Sequence, residues 1–214
     1  MNTRTSLAVF SGLWLLGCAP TAPIGTNRNP EDLSAGGHRH EAAIHLQEAV
    51  LDNRPAPGTS RMDTIGETTN SDEAIRQQRK AQIHLNDAIV LENAMHTECA
   101  PITPAERPLC GFGGRRVASV EDLPDGSRIR FAGDGAAVRE TLSRARCAHA
   151  YADFVGRNSM PSCVVAVRDL SIAATYEQGT VVLTLTSSNG AVVPDLRRRA
   201  HSLMDHQGVT TTTH

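Results

Sequence analysis

The chain opens on an apolar run, residues 7–16, behind a single basic residue, Arg4. A membrane-spanning helix needs about 20 consecutive apolar residues, so this run reads as the core of a secretory signal over residues 1–17. Beyond it the pattern becomes helical. Asn29-Pro30-Glu31-Asp32 predicts a helix start, because Asn caps, Pro suits the first helical position, and two carboxylates meet the positive end of the dipole. This helix is expected to reach about Asn53, weakened by Gly36-Gly37. Residues 53–70 are turn-rich and are expected to form a mobile loop. A second helix is predicted from about Asn70, where Glu73 completes a capping box, to about Cys99. The two segments echo one another, Ile44-His45-Leu46-Gln47-Glu48-Ala49 against Ile83-His84-Leu85-Asn86-Asp87-Ala88. Two similar amphipathic helices joined by a loop predict an antiparallel hairpin over residues 29–98. The match is short, and Ala-rich helices produce such matches by chance.

Residues 99–114 carry three prolines and three glycines and read as a connector, with Gly111-Phe112-Gly113-Gly114 as a hinge. The pattern then turns to β. Residues 116–121 and 128–131 flank Pro124-Asp125-Gly126, a turn in which Pro presets φ and Gly is expected to take the left-handed region. A helix opens at Asp134-Gly135, places Val138, Leu142, Ala145, His149 and Ala152 on one face, and ends at Gly156. Residues 163–167 and 170–176 read as extended. A Gln178-Gly179 turn leads into a strand over 180–186, where Val181, Leu183 and Leu185 alternate with Thr180, Val182, Thr184 and Thr186. The last helix has Pro194 in its first turn and carries Val193, Leu196, Ala200 and Leu203 on one stripe. The order β-β-α-β-β-α over residues 115–206 predicts a small antiparallel sheet with two helices, and the chain as a whole an α+β fold. Residues 207–214 are expected to be disordered.

Composition sharpens this picture in two places. The formal net charge of −2 supplies no large single-sign field, which argues against nucleic acid as a partner. Aromatic residues make up 3% of the chain. Phe10 and Trp14 fall in the signal, so Phe112, Phe131, Tyr151, Phe154 and Tyr176 place the core in the C-terminal half. The helix pair is left to pack thinly on alanines.

The end of the signal, Leu15-Leu16-Gly17-Cys18, resembles the lipobox of bacterial lipoproteins. The resemblance implies cleavage before Cys18, acylation of that residue, and a tether over residues 18–28. Each buried acyl methylene contributes about 0.8 kcal/mol, so several chains anchor permanently. Ala19-Pro20 puts no Asp after the cysteine, which by the same resemblance implies the outer membrane, facing the periplasm. The His-bearing helix pair, Arg146-Cys147-Ala148-His149, Ser162-Cys163-Val164 and Arg197-Arg198-Arg199-Ala200 are similar to envelope lipoproteins of proteobacteria, from which no activity carries over. With Cys18 lipidated, Cys99, Cys110, Cys147 and Cys163 remain. An even set in an oxidising compartment reads as two disulfides with three possible connectivities. Sequential pairing, Cys99–Cys110 and Cys147–Cys163, is the simplest because each bond closes a short segment.

No G-x-S-x-G, H-E-x-x-H, P-loop or G-x-G-x-x-G pattern occurs in the sequence. The expectation is therefore a non-enzymatic interaction or structural module without a cofactor, whose partners are the membrane, through the lipid, and another envelope protein. The alternative is a periplasmic metal-binding or metal-sensing protein taking zinc or copper through His38, His45, His84 and His149. His38 and His45 are followed three residues later by Glu41 and Glu48. The two imidazoles stand about 10 Å apart by helical rise, too far to share one ion without another segment. Cys147 and His149 lie about 200° apart around a helix and do not face one point. His149 falls on the apolar stripe and reads as a hydrogen-bonded boundary residue. Arg197-Arg198-Arg199 reads as a solvated face, open to an acidic partner or lipid headgroups.

Overall fold

The structure is a computed structural model and describes residues 33–52, 64–110, 112 and 115–205. The signal, Cys18, the tether, the helix start expected at Asn29, most of the loop expected over 53–70, the hinge glycines and the tail lie outside the described residues. The described elements are α1 (Ala35–Asp52), α2 (Thr64–Glu98), β1 (Val117–Leu123), β2 (Gly126–Ala132), α3 (Ala137–Val155), β3 (Leu170–Glu177), β4 (Thr180–Ser187) and α4 (Val193–Asp205). The fold is α+β, with four helices and a four-stranded antiparallel sheet in the order β1-β2-β4-β3.

Helix α1 starts where a side chain can cap it. The Ser34 hydroxyl accepts a 3.0 Å hydrogen bond from the Gly37 amide, which sets Gly36-Gly37 in the first turn and removes them from the helix interior. Helix α2 begins at Thr64, inside the segment expected to be a loop, and runs 35 residues. The two helices are antiparallel: His38 meets His84 while His45 meets Gln77. Their facing sides bury Ala35, Ala42 and Ala49 from α1 against Ala74, Ala81, Ala88 and Met95 from α2. Both sets repeat every seven residues, and alanine at such a seam lets two backbones approach closely. Arg39 reaches across to Glu92 with two guanidinium nitrogens.

The sheet buries one face. Ile129, Phe131, Val181, Leu183 and Leu185 are fully buried and share a core with Ala145, Ala148 and Ala152 of α3 and Leu196 and Ala200 of α4. Register fixes these pairings, with Ile129 opposite Leu183, Phe131 opposite Val181, and Ile172 opposite Leu185. The outer face carries the Arg128–Glu121 and Arg130–Glu177 ion pairs. Val182, on the outer face, is nonetheless fully buried, between its cross-strand neighbours Arg130 and Thr175.

Three local expectations need correction. Residues 163–167 are turns, not a strand, although Val164, Val165, Ala166 and Val167 are all buried. A short buried apolar run has no periodicity to separate strand from turn. The buried face of α3 is Ala137, Thr141, Ala145, Ala148 and Ala152, so Val138 and Leu142 sit at its margin. Thr141 stays buried because its hydroxyl donates to the Ala137 carbonyl at 2.8 Å. Among the described residues those of positive φ are Gly156, Gly179, Asp169 and Gln178, and Gly126 is not one of them. It is glycine because a Cβ there would strike the Leu185 carbonyl across the β2–β4 ladder. Gln178 and Gly179, both at positive φ, form the β3–β4 hairpin turn.

The alanine seam generates a prediction. An Ala81→Leu substitution forces three more carbons into a site 1% exposed and should lower unfolding stability by about 1–3 kcal/mol, read by denaturant titration. The same change at exposed Lys80 should alter it by less than about 0.5 kcal/mol.

Candidate functional site

Polar side chains flank the alanine seam, and the close approach of the helices brings them together. His38 of α1 and His84 of α2 meet with their Nδ1 atoms 3.0 Å apart and ring centroids 5.3 Å apart. One Nδ1 carries the proton and donates; the other accepts. Asp87 lies one turn after His84 on the same face of α2, its Oδ2 3.8 Å from His38 Nδ1. One ligand atom from each of these three residues falls within 4.8 Å of the other two. Burial pushes the His38 pKa below the ordinary imidazole value, and His84 lowers it further; Asp87 opposes both. A cleft of about 230 Å³ opens beside them, lined by Leu33, His38, Asp87, Val90, Leu91, Asp153 and Arg157.

A second trio sits one step along the seam. His45 Nδ1 donates to Gln77 Oε1 at 2.9 Å and lies 3.1 Å from Glu48 Oε2. Its ring stacks on His84, with centroids 5.6 Å apart. Gln77 in turn donates to Glu73 at 2.8 Å. The two trios are related by a local two-fold arrangement of the helices. His45 and His84, Glu48 and Asp87, and His38 and Gln77 are each 39 residues apart, as are Ala35 and Ala74, Ala42 and Ala81, and Ala49 and Ala88. The echo in the sequence is thus an echo in space. One trio is His, His and acid; the other is Gln, His and acid.

The structure divides the expected histidines. His38, His45 and His84 gather; His149 does not join them. Its Nδ1 donates to the Val165 carbonyl at 2.7 Å, which satisfies a backbone acceptor in the buried turn segment. Its Nε2 lies 3.9 Å from Asp153, which pairs with Arg157 at 2.6 Å and borders the cleft. Asp87 is the member that a histidine search passes over, and the signal for it is the His-x-x-acid spacing repeated in both helices.

The cysteines pair, but not sequentially. Cys99 bonds Cys147 and Cys110 bonds Cys163, with Cα–Cα distances of 4.5 and 5.3 Å. The connector leaves α2 at Cys99 against α3 and passes on, so each cysteine meets a partner from the α+β domain and not its neighbour in sequence. Cys99 and Cys147 are buried with Met95 and Ile102 in a small second core, beside Tyr151 and Phe154. The arginine run also differs from a solvated face. Arg199 donates to the Met160 and Cys163 carbonyls at 3.3 and 3.0 Å. Arg197 donates to the carbonyls of Leu123, Pro124 and Gly126 at the β1–β2 turn. Arg198 alone stays largely exposed, paired with Asp195.

No protein-family profile, no curated protein and no solved structure matches the chain. Among the described residues no helix is long and apolar enough to cross a membrane.

The His38 environment sets a pH dependence. A folded-state pKa below the unfolded value means the unfolded chain binds more protons in acid. The contribution is present above the unfolded imidazole pKa of about 6.5 and is lost as pH falls through the folded value. Chelator-treated protein should melt at lower temperature as pH drops through that window, and His38→Gln should flatten this part of the profile. An unchanged profile in the variant would assign the slope to other groups.

Proposed function

We propose that the chain is a lipid-anchored envelope protein, non-enzymatic in kind, whose α+β domain is a covalently stapled base for the α1–α2 pair. The observation that carries this reading is the pair of disulfides, Cys99–Cys147 and Cys110–Cys163. Such bonds persist in oxidising compartments, which agrees with a secretory signal ending in Leu-Leu-Gly-Cys. Lipidation at Cys18 would place the protein on the outer membrane, facing the periplasm. The bonds tie both ends of the connector to the domain, which suits a mechanical role for the junction. Leu46, Val50 and Leu51 on α1 and Ile75, Ile83, Ile89 and Val90 on α2 are each about half exposed or more. These side chains are where a protein partner in the envelope would pack. Arg198, the exposed member of the arginine run, leaves little of that run for headgroups or an acidic partner. A second reading, a periplasmic protein that binds zinc or copper, is favoured by the convergence of His38, His84 and Asp87.

Fractionation of a Gram-negative host expressing the full chain tests the anchor. The native protein should sediment with membranes, and Cys18→Ala should be unprocessed or soluble in the periplasm. Processed Cys18→Ala that remained with membranes would overturn the anchor. Thiol counting on the same material should find the four other cysteines oxidised, and non-reducing peptide mapping should join Cys99 to Cys147 and Cys110 to Cys163. The bonds close loops of 48 and 53 residues, so reducing each should cost about 4 kcal/mol of stability in the chain-entropy model. Free thiols at all four positions would remove the oxidising-compartment argument.

A further inference from the structure

We propose that His38, His84 and Asp87 bind one zinc or copper(II) ion per chain, clipping α1 to α2, and that Gln77 is what keeps the symmetry-related trio from binding a second. The inference rests on the metal-binding reading above and assigns it a ligand set, a stoichiometry and a position in the fold.

The case begins with the balance of donors and acceptors. In the Gln77 trio an amide oxygen, a poorer ligand for zinc or copper than imidazole, stands in place of the second ring. His45 Nδ1 donates, the Gln77 and Glu48 oxygens accept, and the Gln77 amide donates onward to Glu73. In the His38 trio two ring nitrogens point at one another and share a single proton. The Asp87 carboxylate stands at 3.8 Å, beyond hydrogen-bond range of His38. Lone pairs outnumber protons there, and a cation resolves the excess. Coordination requires neutral imidazoles.

Distances agree with an ion between the three groups. Zinc holds imidazole nitrogen at 2.0–2.1 Å and carboxylate oxygen at 2.0–2.2 Å, which in a tetrahedron separates ligand atoms by about 3.3 Å. The two separations from His38, 3.0 and 3.8 Å, lie on either side of that value and all three pairs fall within 4.8 Å, so side-chain rotation has to close the set. Two imidazoles with one carboxylate suit zinc or copper and are poorly matched to magnesium or calcium, which take oxygen sets. Three protein ligands leave one position of a four-coordinate ion for water, and the adjoining cleft admits it. The ligands come from two helices whose buried seam is mostly alanine, so the ion would add a cross-link where apolar area is scarce.

Full-length protein in detergent, stripped with chelator and titrated separately with zinc and with copper(II), tests this directly. Metal analysis and calorimetry should find one ion per chain, with a rise in melting temperature on loading. Loss of an outer-shell partner alone costs about 10–100-fold, so His84→Gln and His38→Gln, which keep a polar side chain in place, should weaken binding by at least about a hundredfold and Asp87→Asn by at least about tenfold. Gln77→His should raise the stoichiometry from one to two. Circular dichroism and the disulfide map confirm that each variant is folded. Absence of stoichiometric binding in the native protein would overturn both this site and the metal-binding reading. Binding untouched by all three ligand substitutions would overturn the site alone and leave that reading standing. A Gln77→His protein that still takes one ion would overturn the assigned role of Gln77.

Discussion

The two N-terminal helices meet over alanine, and much of the molecule answers to that. A methyl group removed from water contributes roughly 0.8 kcal/mol, against about 1.5–3 kcal/mol for a buried leucine or valine. A seam of Ala35, Ala42 and Ala49 against Ala74, Ala81 and Ala88 is therefore close but weak. Its closeness carries His38, His45, Gln77 and His84 into contact, since larger seam residues would hold their backbones apart. Its weakness is offset at the margins. Arg39 clasps Glu92, Ser34 packs against Gly156 at the end of α3, and Cys99 is bonded to Cys147. The pair is held by its ends and flanks more than by its middle.

Helix α3 stands between this pair and the sheet. Ala145, Ala148 and Ala152 face the strands, while Cys147 faces Met95, Cys99 and Ile102 at the end of α2. Alanines on the sheet side, and Cys147 with Tyr151 and Phe154 on the other, let one helix serve two cores. The segment after α3 needs a different solution, because residues 163–167 are buried without a ladder to satisfy their backbone. Turn bonds from the Cys163 and Ala166 amides reach the Met160 and Cys163 carbonyls, and side chains add further donors: His149 to Val165, and Arg199 to Met160 and Cys163. A guanidinium has five N–H groups and cannot be deprotonated at ordinary pH, so it suits several carbonyls at once. Leaving the Val165 carbonyl unpaired would cost about 1–3 kcal/mol.

Periodicity made the larger elements legible and lost the places where burial and periodicity part. The alternation of Val181, Leu183 and Leu185 is visible in the sequence because β4 buries those residues on one face of the sheet. Val164-Val165-Ala166-Val167 has no alternation, and only the tertiary contacts make it a buried turn. The start of α1 depended on Ser34, a single hydroxyl less conspicuous than the Asn-Pro-Glu-Asp run before it. Disulfide partners are set by which elements lie side by side, which spacing along the chain does not encode. For the histidines, the repeated His-x-x-acid was readable; the partner from the opposite helix depends on the register of the seam. That register is also written in the sequence, as alanines every seven residues, but small residues register weakly on any scale of hydrophobicity.

The local symmetry of the helix pair has a consequence at the level of the gene. Gln77 occupies the place in one trio that His38 occupies in the other. Histidine and glutamine codons share their first two bases and differ only in the third. A helix pair with two equivalent trios and one with a single complete set are thus separated by one base change, and the seam beneath them need not move for a lineage to pass from either to the other.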